Sequence, residues 1–102
     1  MGGIVFVTDE RRWSVSTSVF YWAIDALADL VQNQGLAAQL REVSEENLGS
    51  IDVEELSEVD RRDLGGAANR LPDVARATLP RSEEREVVIG QIERLAALLA
   101  PA

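Results

Sequence analysis

Apolar and polar positions alternate along this chain in short, readable blocks. Ile4-Val5-Phe6-Val7 is a β-branched and aromatic run, placed between the pair Gly2-Gly3 and the polar cluster Thr8-Asp9-Glu10-Arg11-Arg12. It reads as a strand. Apolar residues occupy both parities, so the pattern predicts cover on both faces. A lone strand leaves its backbone groups unpaired. Two partners are open: Trp13-Ser14-Val15 as the return arm of a hairpin, or a second copy of the protein.

The clearest periodicity follows. Phe20, Ile24, Leu27 and Val31 recur at helical spacing, and Val19, Ala23, Ala26 and Leu30 widen the stripe. Ser14, Ser16, Thr17 and Ser18 offer N-cap oxygens. The spacing predicts a helix from Thr17 to Gln34 with a narrow polar face of Ser18, Asp25, Asp29 and Gln32. A helix apolar around most of its circumference is expected at the centre of a bundle. Trp22 falls at the edge of the polar face, beside Asp29. It is either covered by a loop or the N-terminal strand, or it is an exposed aromatic anchor for a partner.

Gly35 fits the left-handed residue that closes a helix. Leu36 to about Glu45, with Leu36, Ala37, Leu40 and Val43 on one side, predicts a short helix folded back on the first, a strand being the alternative. Asn47-Leu48-Gly49-Ser50 reads as a loop. Ile51 to Leu56 allows a very short strand or a single capped turn, and the turn is favoured. Ser57, with Asp60 three residues on, caps a helix to about Leu71. Gly65-Gly66 implies an interruption or a close backbone approach. Pro72 predicts a break, with a short helix from Pro72 to Leu79 beyond it. After the turn Thr78-Leu79-Pro80-Arg81, Ser82 caps a last helix with Glu83, Glu84 and Glu86 in its first turns. Its stripe is Val88, Ile92, Leu95 and Leu99, flanked by Val87 and Leu98, and it is expected to pack on the central helix. The fold class is therefore mainly α, or α+β by virtue of a small N-terminal β element. The expected architecture is one compact domain over residues 1–102, a bundle of four to five helices around the helix 17–34.

Length changes this picture little: 102 residues support one modest core. No apolar run approaches the ~20 residues of a membrane helix. The N-terminus lacks a basic region, and its apolar run stops after four residues, unlike a secretory signal. The expected location is the cytoplasm. Cysteine, histidine and lysine are all absent, and the ten bases are all arginine. That removes thiol nucleophiles, the usual neutral-pH acid–base group, Cys and His metal ligands, Schiff-base chemistry and a P-loop lysine. Arginine-only usage suits the guanidinium fork's fit to carboxylates, or reflects a GC-rich genome. No nucleotide loop, HExxH or nucleophile elbow occurs, and no cofactor is expected. A carboxylate-pair enzyme is the residual catalytic class; the expectation is a non-enzyme.

Charge changes it most. Glu42 to Asp63 holds nine acids and two arginines, a net −7 of the chain's −8, while residues 1–41 carry −1 and residues 64–102 carry zero. Counted from Asp52, a calcium loop would need an oxygen ligand at Leu56 and a glycine at Ser57, so metal binding is not expected. Nucleic acid and anionic membranes are disfavoured by the sign of the field. An acidic field suits a basic protein surface, where it accelerates encounter within a Debye length of about 8 Å. The candidate partner-binding residues are Glu42, Glu45, Glu46, Asp52, Glu54, Glu55 and Glu58, with Trp22, or else Trp13, as an apolar anchor. Glu54, Glu55 and Glu58 are the chief candidates for pairing with arginine or lysine across an interface. The plainer alternative is a solvated corner whose acids cap helix starts.

In its size, its lack of cysteine and histidine, and the segment EENLGSIDVEELSEVD, the chain resembles the small acidic immunity proteins that neutralise bacterial toxins. The resemblance covers composition and this one segment, and such proteins occupy many unrelated folds. It implies an inhibitor that occludes a basic toxin domain. A second expectation, from the residues alone, is a structural or homo-oligomerisation protein, a homodimer joined through the apolar N-terminal strand.

Overall fold

The computed structural model describes residues 2–8 and 10–100; Asp9, part of the polar cluster after the first apolar run, lies outside them. The chain folds as a mainly helical, compact four-helix bundle with a small β element. The elements are β1 (Gly2–Phe6), β2 (Arg12–Ser16), α1 (Thr17–Leu30), α2 (Gln34–Glu45), β3 (Ser50–Asp52), a 3₁₀ turn (Val53–Glu55), α3 (Glu58–Thr78) and α4 (Glu83–Leu99).

The apolar N-terminal run does become a strand, and β1 is the middle of three. β2 pairs with it antiparallel, with Val5 opposite Trp13, and β3 pairs with it parallel, with Val5 opposite Ile51. Both edges of β1 are therefore filled within the chain. A dimer joined through β1 has no edge to use. Gly3 explains how the sheet meets the bundle: a Cβ there would collide with the side chain of Phe20, so only a bare backbone lets that buried ring approach β1 so closely.

β3 corrects the preference for a lone turn over Ile51 to Leu56. Both candidates form, in series. Ser50–Asp52 pairs with β1, and Asp52 then caps the 3₁₀ turn, its Oδ1 accepting from the Glu54 N–H at 3.0 Å. A three-residue strand has too few positions for its alternation to declare itself in sequence. It exists because β1 offers a free edge.

α1 stops at Leu30, four residues before the predicted Gln34. Its Ser16 cap accepts from the Val19 N–H. Gly35 does not close it: Gly35 has no positive φ and lies in the first turn of α2, capped by Asn33. α2 ends at Glu45, as expected, and the first residues of the loop form a Schellman closure, with Leu48 N–H donating to Val43 C=O at 3.0 Å and Asn47 N–H to Ser44 C=O at 3.3 Å. Asn47 supplies the left-handed residue at φ 52°.

α3 is one continuous helix through Pro72, where a break was expected. Leu64, Ala67, Ala68, Leu71 and Ala75 are buried on one face to either side of the proline. Keeping Leu71 and Ala75 in a single stripe outweighs the ~3 kcal/mol that an interior proline costs. Gly65 is buried within the same uninterrupted helix.

α4 packs along α3 and over β2 rather than on α1, which packs on α2, α3 and the sheet. Its buried stripe is Ile89, Ile92, Leu95 and Leu99; Val88 is only half buried, and Val87 is 63% exposed. Three of the four predicted positions hold, and Ile89 takes the place of Val88 at the edge of the stripe. Ser82 starts α4 by position, but its hydroxyl makes no capping bond. Trp13 is 2% exposed, and its Nε1–H donates to the Gln91 carbonyl at 2.8 Å, tying β2 to α4. It cannot serve as a surface anchor.

Candidate functional site

The acidic stretch is not one patch. The fold divides it into acids that hold the structure and acids that only face water. Asp63, from the second turn of α3, accepts from the Gln32 N–H (2.9 and 3.1 Å) and the Asn33 N–H (2.8 Å). Asp60 accepts from Asn33 Nδ2 at 2.7 Å instead of returning to the Ser57 cap. Its own N–H donates to Ser57 Oγ at 3.1 Å, so half of the expected capping box forms. Asp52 caps the 3₁₀ turn. Glu58 pairs with Arg62 one turn on, at 2.8 Å, with both side chains largely exposed. Such a pair is worth a few tenths of a kcal/mol.

The remaining candidates are Glu42, Glu45, Glu46, Glu54 and Glu55. All are exposed, and none carries an ion pair among the described residues. They form two groups. Glu42, Glu45 and Glu46 end α2, where the helix dipole already presents its negative end. Glu54 and Glu55 occupy the 3₁₀ turn, with Glu58 opening α3. Asn33, at the other end of α2, touches Asp60 and Asp63. Twelve residues of helix therefore carry Glu45 about 18 Å from that end of α2. Over that distance, beyond a Debye length of about 8 Å, the glutamates at the α2 end act separately from Asp60 and Asp63.

Among the described residues, no three carboxylates come together closely enough to hold a metal ion. No helix there is long and apolar enough to cross a membrane.

Trp22 sits on α1, half buried and packed against the core. Pattern reading missed two other apolar residues. Leu48 is 55% exposed and Val59 is 69% exposed, and both lie inside the acidic stretch. The signal was present: each is a large aliphatic residue among polar neighbours, outside any helical stripe. Val59 borders a groove of about 550 Å³ between α3 and the α1–α2 corner, lined also by Leu30, Ala67, Arg62 and Arg70. Arg70 also donates to the Leu30 carbonyl at 3.0 Å, closing the end of α1.

Comparison of the chain with protein-family models, with curated proteins and with solved structures finds no match.

Proposed function

We propose that this protein is a cytoplasmic protein-binding module that docks a basic protein surface along its acidic side and inhibits that partner by occlusion, as an immunity-type protein does. The observation that carries the reading is the division among the acids. The fold consumes Asp52, Asp60 and Asp63, and leaves Glu42, Glu45, Glu46, Glu54 and Glu55 exposed and unpaired. The first three stand at the negative end of their own helix, where they cost the free protein stability. A partner's arginines or lysines would relieve that cost.

Leu48 and Val59 supply the apolar contact that an interface of charges alone lacks. They replace Trp13, which is buried, and they lie within the acidic stretch as Trp22 does not.

The test is affinity capture from the source cells with two baits, the native chain and one carrying Glu42→Arg, Glu45→Arg, Glu54→Arg and Glu55→Arg. The expected result is a basic protein, retained by the native bait alone, whose activity falls on adding the native chain. Capture of the same proteins by both baits would contradict the reading.

A further inference from the structure

β2 is an edge strand, and the phase of its hydrogen bonds can be fixed. Val7 N–H donates to Arg11 C=O at 2.9 Å, in the register that continues Phe6 opposite Arg12. Antiparallel residues alternate between bonded and non-bonded pairs. The bonded pairs are then Val5 with Trp13 and Gly3 with Val15. The Ile4 N–H fixes the same phase independently, since it points the other way, to Gly49 C=O at 3.0 Å on the β3 side. Arg12 and Ser14 therefore turn their backbone N–H and C=O groups outward. Among the described residues no turn, cap or side-chain bond takes those groups up.

The surroundings of this edge have a definite chemistry. Arg12 and Ser14 are exposed, and with Gln91 and Arg94 of α4 they line a cavity of about 270 Å³. Neither Arg12 nor Arg94 has an ion-pair partner among the described residues. The Trp13–Gln91 bond holds α4 in place beside the strand. Among the described residues, the edge offers a short row of unpaired peptide groups flanked by two guanidiniums without an ion pair.

We propose that the outer edge of β2 accepts an extended segment of a partner protein that bears an acidic side chain. The backbone groups of Arg12 and Ser14 would pair with the incoming strand, as in β-strand addition. Arg12 and Arg94 would select the carboxylate. The same arginines argue against a second copy of this chain. Arg12 sits on the edge strand itself with Arg94 beside it, and charged side chains on an edge suppress self-pairing. The site is independent of the acidic stretch, which enters the sheet through β3 on the far side of β1.

The probe is the capped pentapeptide Thr-Val-Glu-Val-Thr, titrated into the ¹⁵N-labelled chain. Two controls accompany it: the peptide with Lys in place of Glu, and one N-methylated on alternate residues so that it cannot pair. Saturable shifts and slowed exchange at the Arg12 and Ser14 amides are expected with the Glu peptide. The Lys peptide should bind about fivefold more weakly or worse, the scale of two exposed charge pairs, and the N-methylated peptide not at all. In the Arg12→Glu, Arg94→Glu variant, checked for an unchanged Trp13 indole resonance, the preference should reverse. Equal binding of the Glu and Lys peptides, or shifts confined to other residues, would overturn the proposal. So would concentration-dependent changes at Arg12 and Ser14 without peptide, which would assign the edge to a second copy.

Discussion

The carboxylate of Asp63 holds the backbone of Asn33, thirty residues earlier, through a 2.8 Å bond to its N–H. Asn33 then caps α2 with its own Oδ1, which accepts from the Gly35 N–H at 2.8 Å. α3 thus fixes the corner at which α1 ends and α2 begins. Arg70, two turns along α3, takes the Leu30 carbonyl on the other side of the same corner. Acid and base on one helix satisfy the amide and carbonyl groups that two other helix ends leave without partners.

Asp63→Ala should therefore cost about 1–2 kcal/mol, as loss of a helix cap does. In a chain of this size that lowers Tm by roughly 5–10 °C. Asp63→Asn, which keeps an accepting oxygen, should lose less. Thermal unfolding followed by circular dichroism decides it, and an Ala variant as stable as the native chain would remove Asp63 from this role.

Gly3→Val tests the fit between sheet and bundle. The new side chain would meet the Phe20 ring, itself fully buried, so one of the two must move. Overpacking of this kind costs about 1–3 kcal/mol or more. Adding Phe20→Ala to Gly3→Val should recover less than either change alone would suggest, because Phe20 also packs in the core. A Gly3→Val chain with an unaltered urea midpoint would show that the approach is looser than described.

Pro72→Ala carries the opposite sign. Pro72 lies inside a continuous helix, where it removes one backbone bond. Alanine should restore that bond and stabilise the fold by about 1–3 kcal/mol. The urea midpoint should rise with an unchanged slope. A fall would mean that the ring of Pro72 makes packing contacts worth more than the bond it displaces.

Much of this architecture was legible in the sequence, because its strongest signals are local. The stripe from Phe20 to Leu27, the Ser57 cap and the first apolar strand each depend on neighbours in the chain, whereas the partner of that strand stayed open. The errors share a different origin. α1 ends early because Asp63 captures Gln32 and Asn33, a contact no periodicity announces. Pro72 fails to break α3 because buried leucine and alanine side chains on both sides keep it in one piece. β3 is visible only once β1 has an edge to offer.

The candidate site was legible as charge and not as geometry. Sequence kept Asp60 and Asp63 out of the partner-binding set, but it grouped Asp52 and Glu58 with Glu54 and Glu55, although Asp52 caps the 3₁₀ turn and Glu58 pairs with Arg62. It also chose tryptophans as anchors on size. Trp13 is large enough to be drawn into the core beneath α4, while the smaller Leu48 and Val59 stay outside.

The central claim is that the unpaired glutamates steer a basic partner, and association kinetics test it most directly. The captured partner should be mixed with the native chain and with a Glu54→Arg, Glu55→Arg variant by stopped flow, from low to physiological ionic strength. Steered association predicts a native on-rate that falls about tenfold or more over that range, and a variant that is slow throughout. A tight complex whose on-rate ignores both salt and the two reversals would contradict the account.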